Sequence, residues 1–129
     1  MFNIQWEKDD ADNSAYNYAF ERCVIPAFRR FKPDIVLVSA GYDALRGDTL
    51  AGMELTSNVF YELSTQLKKL GVPIVCVLEG GYDPTLLGRG VYETVSGLLA
   101  PSGEEIALDY RAAPHHAAVV DAVAAVIGL

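Results

Sequence analysis

One pattern occurs twice, in Asp34-Ile-Val-Leu-Val-Ser-Ala-Gly-Tyr-Asp-Ala44 and in Pro73-Ile-Val-Cys-Val-Leu-Glu-Gly-Gly-Tyr-Asp-Pro84. In each segment, an apolar run enters a glycine-containing loop. Both runs are continuously apolar rather than alternating, which is typical of strands covered on both faces of a parallel sheet. In such sheets, ligands bind in the crevice beyond the carboxyl ends of the strands. The pattern therefore predicts that Asp43 and Tyr82, one in each loop, lie beside the same crevice.

Composition sets bounds on the class of protein. A chain of 129 residues fits one domain, which can bury about two-thirds of its unfolded surface. A formal net charge of −7 without a Lys/Arg-rich stretch argues against non-specific nucleic-acid binding. No apolar stretch reaches the roughly 18–20 residues that span a bilayer, and the N-terminus lacks a signal-peptide pattern. We therefore expect an intracellular protein of the cytoplasm or nucleus.

The two cysteines support the same compartment. Cys23 and Cys76 are far apart in the sequence, and each lies in an apolar pattern. Counting alone permits a disulfide, but two buried free thiols are the expected state in a reducing compartment.

The N-terminal third predicts a short strand and a helix. Phe2-Asn-Ile-Gln-Trp6 has a β-type pattern, and the acidic turn from Asp9 to Asp12 follows it. Asn13 or Ser14 is expected to cap the helix behind this turn, because a short polar side chain can accept a hydrogen bond from the first helical turn. Pro26 is expected to kink that helix or to end it early.

The remainder predicts three more helices. Thr56 is expected to cap the second helix, and Gly71 is expected to end it. Asp83-Pro84 predicts the start of a third helix, whose three glycines make it depend on packing rather than on propensity. A polar connector from Pro101 to Pro114 precedes a terminal helix over His116 to Ile127. The order β-α-β-α-β-α-α favours an α/β layered fold with a small parallel sheet.

Residue chemistry alone leaves the role of the two loops open. Asp43 follows the end of a strand, where a carboxylate can bind a metal, orient a base or form a turn. Tyr82 lies between Gly81 and a helix start, where a phenol can donate a hydrogen bond or pack. Together on one crevice, the two side chains would provide a cation ligand and an oxyanion donor, two distinct roles in amide hydrolysis.

Three segments carry a specific resemblance. They resemble the zinc-dependent histone deacetylase family, and they are Phe31-Lys-Pro-Asp-Ile-Val-Leu-Val-Ser-Ala-Gly-Tyr-Asp-Ala44, Gly47-Asp-Thr-Leu50 and Leu78-Glu-Gly-Gly-Tyr82. Within that family they are similar to the class II-like and acetylpolyamine-amidohydrolase-like branch, in which Glu precedes the glycine pair. The similarity extends from about residue 3 to about residue 99, and residues 100–129 add only the connector and the terminal helix.

The resemblance implies a fold and a set of roles. The fold would be part of a three-layer α/β sandwich with a parallel sheet, as in arginases and deacetylases. Asp43 would be one of three protein ligands of Zn²⁺, and Tyr82 would hydrogen-bond the acetyl carbonyl as it becomes an oxyanion. Leu50 would form the apolar wall of the tunnel for the acylated chain, and Gly80 and Gly81 would keep the floor of that tunnel narrow.

Two positions depart from the family pattern. Tyr42 stands where relatives commonly carry Phe, and Thr49 replaces the Pro or Arg that usually precedes the tunnel residue. An anion-binding role attached to that Arg is therefore absent.

The resemblance also implies elements that this chain does not contain. The family's other two zinc ligands belong to an Asp-x-His segment, and its catalytic His pair lies upstream of the match; no Asp-x-His occurs here. His115 and His116 form a pair after the Tyr82 segment, and we interpret them as a solvated helix cap. We therefore expect the C-terminal portion of a deacetylase domain, inactive alone, holding zinc weakly, and associating with itself or with the N-terminal portion.

Three functions remain as hypotheses. The leading hypothesis is a zinc-dependent deacetylase acting on an acetylated protein or another acylated amine. The alternative is a non-catalytic binding or interaction module derived from the same fold. A generic nucleotide-binding domain is a third, but neither a G-x-G-x-x-G motif nor a P-loop is present.

Overall fold

A computed structural model describes residues 1–6, 10–50 and 52–129 of the chain. The elements in chain order are α1 (Asn13–Ala19), a π-helical segment (Phe20–Val24), α2 (Ile25–Phe31), β1 (Val36–Ala40), α3 (Asn58–Lys68), β2 (Ile74–Leu78), α4 (Pro84–Leu99) and α5 (Pro114–Ile127). The two strands pair in parallel, with α3 in the connection between them. The prediction of an α/β fold with a parallel sheet is therefore confirmed.

The sheet has two strands among the described residues, not three. Its register runs from Val36 opposite Ile74 to Ala40 opposite Leu78, so both strands end at the same edge. The prediction of a strand over Phe2 to Trp6 is wrong. This segment instead packs its apolar side chains against the helical core formed around α1 and α5, where it has no strand to pair with.

Only one face of the sheet is covered by the described part of the chain. Val38, Ile74 and Cys76 line a cavity of about 190 Å³ that is closed by side chains from α1, α3 and α4. On the other face Leu37, which is 72% exposed, and Val77 have no covering layer among these residues. Both cysteines are free, as predicted, but Cys76 is exposed rather than buried, because β2 has a neighbouring strand on one side only.

The first helix is continuous but irregular. Proline has no N–H to donate to the carbonyl four residues back, so Pro26 breaks the regular hydrogen-bond ladder. The chain compensates with a π-helical segment just before it, in which the N–H of Ile25 reaches the carbonyl of Phe20, five residues back. The N-cap is Asp12 and not Asn13 or Ser14, since its Oδ1 accepts from the N–H of Ala15 at 3.1 Å. Asp9, where the predicted acidic turn begins, lies outside the described residues.

Long-range contacts, not local ones, begin α3. The N-cap position is Ser57, which makes no side-chain cap, so the prediction of Thr56 as the cap is wrong. The Thr56 hydroxyl accepts instead from Nδ2 of Asn13 at 2.7 Å, and the N–H of Thr56 donates to Oδ1 of Asn13 at 2.9 Å, so Asn13 links the start of α3 to α1. After α3, Gly71 adopts a φ of +73°, which fits the predicted stop.

The predicted start of α4 is confirmed, and packing explains its glycine at position 97. Asp83 caps the helix by accepting from the N–H of Thr85 at 2.8 Å, with Pro84 in the first turn. A Cβ at Gly97 would lie 2.6 Å from the carbonyl oxygen of Tyr61, so this glycine lets α3 and α4 approach closely.

Among the described residues, no helix combines the length and the apolar character that crossing a bilayer requires.

Two apolar clusters support the fold. The first joins α5 to the N-terminal helix through Ala19, Cys23, Val120 and Ala124. The second lies at the carboxyl edge of the sheet and contains Tyr42, Leu45, Leu55 and Val59. The second cluster fixes the loop that follows β1, and this loop carries Asp43.

Candidate active site

The loops after β1 and β2 meet at the carboxyl edge of the sheet. The N–H of Glu79 donates to the carbonyl of Ala40 at 3.0 Å, and the N–H of Tyr42 donates to the carbonyl of Gly80 at 3.2 Å. The ladder of the sheet therefore continues into the two loops. The prediction that both loops lie at one edge is confirmed.

The Asp43 carboxylate lies against two glycine backbones. A Cβ built on Gly80 would be 3.0 Å from Oδ2 of Asp43, and one built on Gly41 would be 3.2 Å from Oδ1. Gly80 also has a φ of +114°, which L side chains rarely adopt. A side chain at either position would displace the carboxylate, so the glycines make the space in which Asp43 sits.

The Asp43 charge also affects a neighbouring phenol. Tyr16, on α1, has a raised pKa, mainly because burial disfavours its charged form; a hydrogen bond with Trp6 opposes this rise, and repulsion by the Asp43 carboxylate adds a smaller increase. Tyr16 therefore stays neutral across the physiological range beside the Asp43 carboxylate.

Tyr82 and Leu50 extend from the same edge into solvent. The Tyr82 side chain is 56% exposed and Leu50 is 68% exposed. Gly81, the residue before Tyr82, has a φ of +113°. A Cβ there would lie 3.1 Å from an atom of Tyr42 and 3.1 Å from an atom of Leu87. The glycine pair therefore lets the Tyr82 segment lie close to the β1 loop.

Tyr42 belongs to the core beneath the site. Its hydroxyl donates to Oγ1 of Thr94 on α4 at 3.0 Å, and Oγ1 of Thr94 donates to the carbonyl of Gly90 at 2.9 Å. Its ring contacts that of Phe60, with centroids 4.8 Å apart. A Phe at this position would keep the ring and lose the hydroxyl bond.

Asp48 joins the two loops, a contact that the sequence analysis did not assign. Its carboxylate accepts from the N–H of Tyr82 at 2.8 Å, of Asp83 at 3.2 Å and of Leu50 at 3.1 Å. These bonds, led by the one from Tyr82, lower the pKa of Asp48 below its ordinary value. A single Gly47-Asp48 pair in a loop gives no sequence signal for a partner 34 residues away.

Asp43 is a suitable ligand for zinc, but the described residues do not complete a site around it. A zinc ion held by a protein needs at least three side-chain donors, typically His, Cys, Asp or Glu. The group of three such donors that the described residues bring together is Asp10, His115 and His116, and it does not include Asp43. A zinc site at Asp43 therefore requires donors from beyond the described residues.

The interpretation of the His pair as a solvated helix cap is wrong for His116; His115 is exposed, but the start of α5 has no side-chain cap. His116 is only 3% exposed, and its Nε2 lies 2.9 Å from Oδ1 of Asp10. His115 lies 3.2 Å from the other Asp10 oxygen, and the two imidazole rings are 4.0 Å apart. The rings are held by α5 on one side and, for His116, by the edge of Trp6 on the other. The N-terminal segment covers this end of α5. Nothing in the sequence around the His pair predicted that contact.

The Asp10–His115–His116 cluster has the spacing of a metal site but not its surroundings. Its ligand atoms lie within 4.8 Å of one another. An imidazole that binds a metal usually donates its second N–H to a protein acceptor. Nδ1 of His116 is buried and has no partner among the described residues, so metal binding through Nε2 would leave a buried N–H unpaired. The geometry fits an Nε2–H donating to Asp10 better.

The comparisons with known proteins agree on one family. A family model described as histone deacetylase domain matches residues 1–98. Histone deacetylase HDA1 of Saccharomyces cerevisiae is 34% identical over 105 residues, which is 81% of this chain and 15% of the relative. Polyamine deacetylase HDAC10 of Danio rerio is 40% identical over 98 residues, 75% of this chain and 14% of the relative.

A solved structure gives the same result. The structure of the histone deacetylase Clr3 superposes with a TM-score of 0.81 at 31% identity, over 94% of this chain and 20% of that one. The α/β fold described above is thus part of the fold of the deacetylases. The chain spans about a seventh of the curated relatives named above and a fifth of Clr3. On these grounds, the chain belongs to the histone deacetylase family.

Proposed function

We propose that this chain provides the Asp43 and Tyr82 parts of a zinc-dependent deacetylase site, which hydrolyses the amide of acetyl-lysine or of a related acylamine. The observation that carries the proposal is the junction of the two loops at the sheet edge. There the Asp43 carboxylate sits between Gly41 and Gly80, and the exposed Tyr82 phenol lies beyond the glycine pair. One relative is named a histone deacetylase and another a polyamine deacetylase, which supports both substrate classes.

Each residue would have a distinct task. Asp43 would be one of the zinc ligands, and zinc, when bound, supplies a Lewis acid that polarises the carbonyl and activates water. The Tyr82 O–H would donate to the carbonyl oxygen as negative charge develops on it. Leu50, with its apolar side chain exposed beside the same edge, would contact the aliphatic part of the acylated chain. Donors from beyond the described residues would complete the metal site and move the protons.

The alternative is a non-catalytic interaction module of the same fold. It is favoured by the exposed apolar face of the sheet and by the fact that the described residues assemble no group of three metal donors at Asp43. A module of this kind would bind a partner through the sheet and would need neither Asp43 nor Tyr82. Under either proposal we expect an intracellular protein with two free thiols.

A hybrid enzyme tests the catalytic proposal. Residues 1–98 replace the matching segment of Clr3, and deacetylation of an acetyl-lysine peptide is measured. We expect an active hybrid in which Tyr82→Phe lowers kcat by roughly 10²–10³-fold, because one oxyanion donor is lost. Tyr92→Phe is the matched control, since Tyr92 is an exposed tyrosine on α4 away from the loop junction.

Two results would count against the catalytic role. A folded hybrid with no activity would favour the interaction module. An active hybrid whose Tyr82→Phe variant keeps the parental kcat would show that Tyr82 is not the oxyanion donor.

A further inference from the structure

We propose that Asp48 is a positioning residue that fixes the Tyr82 phenol and the Leu50 side chain relative to each other. The inference rests on the proposed function, because it gives Asp48 its importance through Tyr82 and Leu50. It assigns a task to a carboxylate that neither touches the substrate nor binds the metal.

The Asp48 carboxylate spans the two loops that follow β1 and β2. Oδ2 accepts from the backbone N–H of Tyr82 at 2.8 Å and of Asp83 at 3.2 Å, and Oδ1 accepts from the N–H of Leu50 at 3.1 Å. One side chain therefore holds the backbone on both sides of the proposed tunnel. The two segments it joins are separated by more than thirty residues in sequence, and the backbone hydrogen bonds between the loops at Ala40–Glu79 and Tyr42–Gly80 do not reach Tyr82 or Leu50.

Tyr82 is largely exposed to solvent. More than half of its side chain is exposed, so packing does not fix where the phenol points. Its position depends on its backbone, which Asp48 binds directly at Tyr82 and again at the next residue. Misplacing a catalytic group by about 1 Å can cost about 10²-fold in rate. The backbone bonds of Asp48 are thus well placed to control the oxyanion donor.

Asp48 itself is supported by a buried loop base. Leu45 and Leu55 are buried and form a backbone bridge across the base of the loop that carries Asp48. Asp83, on the other side, uses its own carboxylate to cap α4 through the N–H groups of Thr85 and Leu86. The bonds of Asp48 therefore link a buried loop base to a capped helix, with the Tyr82 backbone between them.

The chemistry of the contact requires a carboxylate. Three N–H donors point at two oxygens, and the negative charge of Asp48 strengthens all three hydrogen bonds. Asparagine has one acceptor oxygen, and its amide group would face an N–H at the other position. Asp48→Asn is close in volume and removes this arrangement selectively.

Hydrogen exchange in the 129-residue chain tests the positioning role without reference to catalysis. We expect Asp48→Asn to speed exchange of the Tyr82 and Asp83 amide protons by roughly tenfold or more, because a hydrogen bond to a charged group is lost. Asp109→Asn is the matched control: Asp109 accepts from the N–H two residues on, at Arg111, as Asp48 does at Leu50, but its contacts stay within the connector. Unchanged exchange at Tyr82 and Asp83 in folded Asp48→Asn overturns the proposal.

A second variant covers loss of folding. If Asp48→Asn does not fold, Asp48→Glu keeps the charge but moves the carboxylate by one methylene group. The same faster exchange, confined to Tyr82, Asp83 and Leu50, is expected, and protection equal to the parent at all three amides overturns the proposal.

The Clr3 hybrid separates this inference from the proposed function. We expect Asp48→Asn to lower kcat at least tenfold with zinc content unchanged, since Asp48 acts on Tyr82 and not on the metal. If Tyr82→Phe lowers kcat and folded Asp48→Asn does not, the positioning role is overturned. If Tyr82→Phe has no effect, the proposed function fails instead, and faster exchange in Asp48→Asn still supports the part of the inference that concerns the backbone.

Discussion

Tyr42 is the residue on which the geometry beneath the candidate site depends most directly. Its ring lies against α4 at Gly90, where an added Cβ would be 2.3 Å from a ring carbon, and its backbone binds the carbonyl of Gly80. The residue next to it is Asp43. A change that displaces the Tyr42 ring therefore disturbs the edge of the sheet as well as the core.

Gly90→Ala is expected to destabilise the fold by about 1–3 kcal/mol, because the new methyl group overlaps the Tyr42 ring and the core must shift. The free energy of unfolding from denaturant titration measures the effect. Gly88→Ala, in the same helix, is the control: no atom lies within 4 Å of its Cβ position, and alanine there should stabilise by about 0.5–1 kcal/mol. Equal effects of the two substitutions would refute the packing role of Gly90.

Individual residues were predictable from the sequence where the interaction is local. The Asp83 cap was predicted because donor and acceptor are two and three residues apart. The Thr56 cap was wrong because the Thr56 hydroxyl accepts instead from Nδ2 of Asn13, far away in the sequence, at 2.7 Å. The contacts of Asp48 and His116 were missed for the same reason, since each has its partner on a distant segment.

At the scale of elements, the exposed sheet is the feature with the clearest consequence. Leu37 and Val77 project from the uncovered face, and β2 has a neighbouring strand on one side only among the described residues. Both strands were predicted correctly because their apolar runs are strong signals. Continuous runs are typical of strands covered on both faces of a complete sheet, and the expected association follows from the face that the described helices leave uncovered.

We expect the isolated chain to associate, with itself or with a segment that covers this face, because a large exposed apolar surface and an open strand edge both favour contact. Light scattering at micromolar concentration measures the mass. Leu37→Lys should shift the population towards the monomer, whereas a charge on the already exposed α5, such as Val126→Lys, should not. A species of 14.0 kDa for the unmodified chain, with a cooperative melt, would refute the expectation.

Elements that depend on long-range packing were the least predictable. The first helix was expected to kink or to end at Pro26, and it continues through a π-helical segment that accommodates the missing N–H of proline, with α5 packed against it. Phe2 to Trp6 was expected to form a strand, but its apolar side chains pack against the helical core instead. In this second case the local pattern was interpreted correctly as apolar, and the packing partner decided the conformation.

For the whole molecule, the family and the fold class followed from the sequence, and the comparisons confirm both. The site residues remain predictions. The structure shows that Asp43 and the Tyr82 segment meet at one sheet edge, yet the described residues do not bring three zinc ligands together there. The central claim is therefore that Asp43 is a zinc ligand that requires partners from outside this chain's described residues.

Zinc content after dialysis is the most direct test of that claim. We expect the isolated chain to lose zinc, because one carboxylate is too few ligands, and the Clr3 hybrid carrying residues 1–98 to retain about one zinc ion per molecule. Asp43→Ala should remove zinc from the hybrid, whereas Asp34→Ala, an exposed carboxylate before the opposite end of β1, should not. A hybrid that keeps stoichiometric zinc with Asp43→Ala, or an isolated chain that holds zinc tightly, would contradict the account.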